Sequence, residues 1–311
     1  MIMTQPTFSV VIAAYNAERT IVQTINSVLM QSYGDFELII VDDGSEDLTL
    51  PFVLRKAATD QRIKVATQSN QGVSAARNLG VSKARGKYLA FLDADDVWHE
   101  AKLAKHLAFH KSDPALEASY ARVVFCVDSG NDLKPGRTRS TVFEDYCALE
   151  DVLIENAVCT MSNLVIERDT FHEIGGFSSE MRHVEDQDLL ARLVGNGHLL
   201  RGIPETLVGY RMSADGLSCD FAAMLAAWKK LADRWSDQID MKRAEALYCR
   251  YLARRALRSG TTMALARDFM RQGISSDRNA FLSGGPRGVL TAGAVLAGSA
   301  VPPSVRKALF A

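Results

Sequence analysis

Three short polar runs, each following an apolar stretch in the first hundred residues, constrain this chain more than any other feature. Phe8-Ser-Val-Val-Ile-Ala-Ala14 leads into Tyr15-Asn16, Phe36-Glu-Leu-Ile-Ile-Val41 into Asp42-Asp-Gly-Ser45, and Tyr88-Leu-Ala-Phe-Leu92 into Asp93-Ala-Asp-Asp96. Near-continuous apolar runs of this kind are strands covered on both faces. Helical patterns separate them. Ala17–Gln31 carries Ile21, Val22, Ile25, Val28 and Leu29 at i, i+3, i+4 spacing, and further helices are predicted at Leu48–Thr59 and Ser74–Ala84. A short strand is predicted at Ile63–Thr67. Repeated strand–helix–strand units imply a parallel sheet with right-handed crossovers. Ligands of such sheets bind outside the carboxyl ends of the strands, so the three polar clusters should share one rim.

The middle of the chain is mixed. Strands are predicted at Ala121–Val127, Ser162–Glu167 and Thr206–Arg211, helices at Tyr146–Glu155 and Val184–Asn196, and a turn at Gly175-Gly-Phe177. Past Asp220 the pattern is helical, with Phe221–Ser236 and Met241–Ser259 the clear segments. This divides the chain into an α/β domain over residues 1–218, with a mostly parallel, mixed sheet flanked by helices, and a C-terminal helical region over residues 219–311. Within the latter, Ser283-Gly-Gly-Pro-Arg-Gly288 is a Gly/Pro boundary before an apolar stretch, Val289–Val301. That stretch is shorter than the roughly 18 residues a membrane span needs.

A net charge of −1 provides no bulk field for nucleic acid or an anionic membrane. Cys126, Cys147, Cys159, Cys219 and Cys249 are odd in number and form no CxxC pair. Neither a disulfide framework nor a structural zinc site fits, and a reducing cytoplasm does. The N-terminus lacks the basic segment of a signal peptide.

Asp93 and Asp95, two residues apart at a strand end, have the hard oxygens that Mg²⁺ or Mn²⁺ prefers. Such a cation would bridge the two phosphates of a nucleotide sugar and neutralise the leaving diphosphate. The plain alternative is a helix cap on a solvated turn. Asp42-Asp43 can accept from a base or ribose, or can form an Asx turn into Gly44. Tyr15 could stack on a base or be a core aromatic, and Asn16 could cap the following helix. Arg77, one turn into its helix, could clamp phosphate or be a surface charge. Glu185-Asp186 could supply a general base or could simply suit a helix N-terminus. His106 and His110 are four apart with no Glu after His106, so they form no HExxH zinc motif and read as ordinary helix residues. Lys242, Arg243, Arg250, Arg254, Arg255 and Arg258 read as a solvated basic face. Together with the apolar 287–311 tail they permit peripheral membrane contact.

Taken together, the clusters resemble glycosyltransferase family 2, whose members are inverting enzymes of the GT-A fold. The resemblance covers residues 6–215. Val10-Val-Ile-Ala-Ala-Tyr-Asn16 is similar to the family's first strand and nucleotide-binding turn, which implies donor contacts at Ala13 and Tyr15. Val41-Asp-Asp-Gly-Ser45 implies that Asp43 contacts the base, with a lean to uridine. Asn70-Gln-Gly-Val-Ser-Ala-Ala-Arg-Asn78 implies Arg77 near the donor. Phe91-Leu-Asp-Ala-Asp-Asp-Val-Trp98 implies Asp95 as the metal ligand, for Mn²⁺ or Mg²⁺, and Asp93 as an aid to the donor sugar or ribose. Gly175-Gly-Phe177 followed by Glu185-Asp186 implies Asp186 as the base. The acceptor would be a glycan or a lipid-linked sugar, and no nucleic acid partner is implied.

Two departures narrow that expectation. The family's late Tyr-Arg-x-His is Tyr210-Arg-Met-Ser213 here, so Ser213 stands where a metal-side histidine is expected, water or Asp215 would have to complete the shell, and Glu185, Arg211 and Ser213 are secondary site candidates. Leu231-Ala-Asp-Arg-Trp235 lacks the glutamine of the processive synthases' Gln-x-x-Arg-Trp, which favours single-sugar transfer. A nucleotidyltransferase would open with a Gly-rich loop and arginine, where this chain has Ala13-Ala-Tyr-Asn-Ala-Glu18. A non-catalytic nucleotide-sugar-binding module would not need Asp43, Asp95 and Asp186 together.

Overall fold

The computed structural model describes residues 5–128, 133–212, 220–259 and 263–298. The chain opens with the expected alternation: β1 (Phe8–Ala14), α1 (Ile21–Leu29), β2 (Phe36–Asp42), α2 (Thr49–Ala57), β3 (Ile63–Thr67), α3 (Val73–Ser82) and β4 (Tyr88–Asp93). A two-residue β5 (Val97–Trp98), α4 (Lys102–Ser112), β6 (Ala118–Asp128) and β7 (Leu133–Arg139) follow. Then come α5 (Leu149–Glu155), a 3-10 turn at Met161–Asn163, β8 (Val165–Glu167), α6 (Arg168–Glu173), α7 (Glu185–Gly195) and β9 (Leu200–Arg211). Helices α8 (Phe221–Asp233), α9 (Met241–Ser259), α10 (Met263–Ser276), α11 (Arg278–Leu282) and α12 (Pro286–Ala297) close the described chain.

Two compact units result. One holds residues 1–148, 157–180 and 188–212, the other residues 149–156, 181–187 and 213–311. In the first unit the strands form one sheet in the order β3-β2-β1-β4-β8-β6-β9-β5, with β7 alongside β6. β1, β2, β3 and β4 are mutually parallel, β8 runs antiparallel to β4 and β6, and β6 and β9 are parallel. Register matters here: Ala14 lies opposite Asp42, Ala13 opposite Asp93, and Asp42 opposite Thr67, so the four parallel strands end level. Both faces are covered. Phe8, Val10 and Ile12 pack with Ile21, Ile25 and Val28 of α1, while Ile39 and Val41 of β2 pack with Ala76 of α3.

The later boundaries differ from the sequence reading for local reasons. The strand expected over Ser162–Glu167 shrinks to β8, because Thr160 Oγ1 accepts from Ser162 N (3.2 Å) and turns the chain there. The strand expected from Thr206 begins at Leu200. Its pairing with β6 slips between Ala121 and Arg122, where Pro204 has no N–H for the ladder. Helix α5 starts at Leu149 rather than Tyr146.

His106 and His110 are not ordinary surface helix residues. With Lys102 they sit buried on the inner face of α4, joined through Ser119 of β6. The bond directions follow from one fixed acceptor. The Leu116 carbonyl can only accept, so His110 Nδ1 donates to it (3.0 Å), leaving Nε2 to accept from Ser119 Oγ (2.8 Å). Ser119 then accepts from His106 Nδ1 (2.7 Å), and His106 Nε2 accepts from Lys102 Nζ (3.0 Å), which also donates to the Asn163 carbonyl (3.1 Å). Every member is satisfied when neutral. Burial holds the Lys102 amine and the His106 ring well below their usual ranges, and lowers His110 to about 4.

In the second unit, Trp228 of α8 stacks on Tyr248 of α9 at 4.5 Å and donates to the Leu153 carbonyl of α5 (2.8 Å). The basic face predicted on α9 is partly an interior one: Arg250 is buried, and its Nη1 donates to the carbonyls of Ala280, Phe281 and Ser283 at the end of α11. The side chain of Arg258 lies outside the described residues.

Neutral histidines in the folded state and protonated ones in the unfolded state give a definite sign. The unfolded chain takes up protons below about 6.5 while these rings do not, so their stabilisation is complete above that pH and is lost as pH falls toward about 4. The urea midpoint should therefore fall between pH 6.5 and pH 4.5, and fall less in a His106→Gln/His110→Gln variant. Equal pH dependence in both proteins would contradict the neutral chain.

Candidate active site

The site is built on the level strand ends. At the end of β2, Gly44 takes φ +74°, and a Cβ there would lie 2.8 Å from Asn70 N, so only glycine lets the 68–72 loop close over the turn. Asp43 is buried and holds that loop: Oδ1 accepts from Gln68 Nε2 (2.7 Å) and Gln71 N (2.9 Å), and Oδ2 from Gly72 N (2.9 Å). Asp42 is buried beside it. Its Oδ2 accepts from Ser45 N (3.2 Å), while Oδ1 has no hydrogen-bond partner among the described residues. A buried acceptor without a donor is an invitation to a ligand N–H or O–H.

The turn after β1 is laced to the same loop. Asn16, at φ +48°, does not cap α1. Its Oδ1 accepts from Glu46 N (2.9 Å) and its N–H donates to Ser45 Oγ (3.0 Å), while Ala17 N donates to Thr49 Oγ1 (2.7 Å). Tyr15 is 49% exposed, so it is no core aromatic. Ala13 is half-buried in β1, beside Asp93.

Asp93, Asp95 and Asp96 meet three different environments. Asp96 is fully buried; Oδ2 accepts from Ser162 Oγ (2.5 Å) and Oδ1 from Arg211 N (2.8 Å). Asp93 pairs with Arg77 Nη2 (2.7 Å) and accepts from Thr160 Oγ1 (3.1 Å). Arg77, itself buried, lies with its guanidinium 5.1 Å from the Phe177 ring centroid, so it is an interior cation rather than a surface helix charge. Burial, then the neighbouring Asp93 carboxylate, push the Asp95 carboxyl up to about 6, and burial pushes that of Asp96 well above its usual range. Arg211 spans the cluster, donating from Nε to the Asp95 carbonyl (2.8 Å) and from Nη2 to Gln23 (2.7 Å).

Several residues that position this turn were not singled out by sequence. Thr20, Thr24, Ser27 and Gln31 form a polar stripe along α1 and its ends. Thr20 and Thr24 donate to the Ala94 carbonyl, Thr24 also to that of Asp96 (2.8 Å), Ser27 accepts from Trp98 N, and Gln31 bonds His99 and Leu103. Their i, i+4, i+7, i+11 spacing was the available signal. Thr160 and Ser162 had none, since their partners are 64–69 residues away.

The Gly175-Gly-Phe177 turn is clamped from both sides. Asn78 donates from Nδ2 to the Phe177 carbonyl (2.8 Å) and accepts from Phe177 N (3.0 Å), as a peptide group would. Gly176 needs its φ of +65°, and a Cβ there would stand 3.0 Å from Asn78 Oδ1. Arg192, paired with Asp188, donates to the carbonyls of Ile174 and Gly176. Glu185 and Asp186 open α7 and belong to the second unit. Ser213 and Asp215 lie outside the described residues.

Residues 9–177 match the model of Glycosyl transferase family 2. The chain belongs to that family. It is therefore a transferase, and its mixed sheet is the GT-A fold. It is similar to a glycosyltransferase of Haemophilus influenzae (39% identical over 148 residues, 47% of this chain and 58% of the relative). The teichuronic acid biosynthesis glycosyltransferase TuaG of Bacillus subtilis is 29% identical over 74% of this chain and 86% of its own length. The Escherichia coli UDP-Glc:α-D-GlcNAc-diphosphoundecaprenol β-1,3-glucosyltransferase WfgD is 42% identical over 32% of this chain and 39% of its own. Among solved structures, Staphylococcus aureus TarS in complex with UDP-GlcNAc shares the fold at a TM-score of 0.62, with 18% identity, covering 95% of this chain and 82% of that one.

The Asn78 clamp sets an expectation for this family member. Asn78→Ala should lower unfolding free energy by about 1–3 kcal/mol, because it leaves Phe177 N–H and C=O without partners. Asn78→Asp, which keeps the acceptor, should cost less than Asn78→Ala. Urea denaturation of the two variants checks the order.

Proposed function

We propose that the chain transfers one sugar from a nucleotide diphosphate donor, a UDP-sugar in the simplest case, to a glycan or lipid-linked acceptor, inverting the anomeric carbon. The reaction would serve surface polysaccharide synthesis from the cytoplasm, with residues 1–218 as the catalytic domain and 219–311 as the helical extension. The observation that carries the reading is the convergence of Asp42, Arg77, Asp93, Asp95 and Arg211 on one strand-end rim. The polysaccharide synthesis for which TuaG is named, the glucosyl transfer for which WfgD is named and the UDP-GlcNAc bound to TarS support it.

The donor would lie along the rim. Ala13 and Tyr15 would flank the nucleoside. The Asp42-Asp43 turn would meet its polar edge, with Asp43 ordering the loop and the open Asp42 Oδ1 accepting. Arg77 would face the diphosphate, oriented by Asp93. A divalent cation fits here only in company: among the described residues no three His, Cys, Asp or Glu side chains gather to hold one. Asp95 has neither the ion pair of Asp93 nor the hydroxyl and N–H donors of Asp96. Asp95 with diphosphate oxygens and water is the donor set Mn²⁺ or Mg²⁺ accepts, and the cation would neutralise the leaving diphosphate. Glu185, Arg211 and Ser213 would be secondary candidates for the site.

Asp186 would take the proton of the acceptor hydroxyl as that oxygen attacks the anomeric carbon. The bond from that carbon to the diphosphate oxygen breaks in the same displacement, and its electron pair leaves on the diphosphate. One base and one face of attack give inversion.

Asp186→Asn should reduce transfer by at least about a hundredfold while keeping donor affinity; wild-type transfer in this variant would remove Asp186 from the role. For Asp95→Ala, calorimetry with a UDP-sugar should show loss of the affinity gained on adding Mn²⁺. Unchanged metal-dependent affinity would refute the Asp95 assignment. Release of the nucleoside diphosphate across a panel of nucleotide sugars tests the donor.

A further inference from the structure

Helix α12 is packed inside out. Its buried positions are Gly288, Thr291 and Val295. Gly288 has no room for a side chain, since a Cβ there would lie 2.5 Å from the Leu282 carbonyl carbon. The outer face carries the large aliphatics: Val289, Leu290 and Leu296 are 60%, 64% and 67% exposed, with Gly293 and Ala297 exposed among them. A helix whose outer face meets only water turns its larger apolar residues inward. Here both leucines are outside, while a glycine, a threonine and one valine are inside.

The charged residues of α11 and α12 are basic: residues 278–298 hold Arg278 and Arg287 and no Asp or Glu, in a chain whose net charge is −1. Arg287 lies on the first turn of α12, half-exposed, with Nη1 3.5 Å from Glu155. Arg278 is exposed at the start of α11. Two copies of such a face would oppose like charges, whereas an anionic surface complements them. No described helix is long and apolar enough to cross a membrane.

We propose that α12 docks on an anionic lipid bilayer, with Val289, Leu290 and Leu296 entering the boundary between headgroups and acyl chains and Arg287 meeting lipid phosphate. A short apolar face and a few basic residues are each weak alone, and together they give reversible anchoring. The inference does not depend on the sugar or the acceptor.

Co-sedimentation of the full chain with vesicles tests it. Binding is expected to vesicles of phosphatidylcholine with phosphatidylglycerol, to be weaker on phosphatidylcholine alone, and to fall as salt rises. Leu290→Ser/Leu296→Ser should lower partitioning by about tenfold or more, and Arg287→Gln should flatten the salt dependence. All three positions are exposed, so the thermal transition should be unchanged, and donor hydrolysis in solution should match wild type. Hydrolysis that is absent in both proteins would count against the proposed transferase reaction and leave the vesicle result standing. The docking proposal is overturned if wild type fails to sediment with anionic vesicles, or if the double variant sediments equally well. It is also overturned if wild type is a dimer that the double variant converts to monomer without any change in vesicle binding.

Discussion

The candidate site depends on one carboxylate withdrawn completely from water. Asp96 joins three pieces of chain distant in sequence: the turn after β4, the Thr160–Asn163 turn, and the end of β9. A buried carboxyl without partners is very costly, so these donors and the turn form together or not at all. Its own carbonyl is held by Thr24 of α1, adding a fourth piece. With Asp96 pinned, Asp93 and Asp95 on the same turn have little freedom left. Preorganisation of that kind gives a metal or phosphate site its geometry before the ligand arrives.

Three acids in four residues then divide their work by environment. Asp96 serves the scaffold. Asp93 is committed to Arg77, which is fixed in turn against Phe177. Asp95 remains, and burial with the Asp93 charge beside it raises its carboxyl to about 6. Negative charge of this density gains from an incoming cation, so the electrostatics of the rim and the chemistry proposed for it have one cause. The Lys102–His106–Ser119–His110 chain braces the same region, because Lys102 bonds the Asn163 carbonyl and Asn163 bonds Ala121 of β6.

The parallel strands and their polar ends were legible because each rests on local pattern. Apolar runs identify buried strands, and the sheet rule places their ends together whatever the side chains later do. The roles at those ends were less legible. Asp43 reads in sequence as a base contact and in the structure spends three acceptor bonds on the 68–72 loop, while Asp42 keeps the open oxygen. Asp42 closes the strand and Asp43 opens the turn, and a sequence cannot say which of the two the 68–72 loop covers. Arg250 was misread because a basic residue on a helix looks solvated until three carbonyls at the end of α11 are placed around it.

By itself the sequence determined the strand–helix alternation, the rim, the acidic turn and the family, since all of these follow from short-range pattern and composition. Only the tertiary structure decided which acid is fully buried and which is paired with Arg77. It also decided that His106 and His110 form a neutral interior chain and that α12 turns its leucines outward. Those outcomes depend on partners far apart in sequence, such as Arg211 and Asp95, 116 residues apart. Burial is a property of the packed chain, and no local pattern encodes the removal of a charge from water.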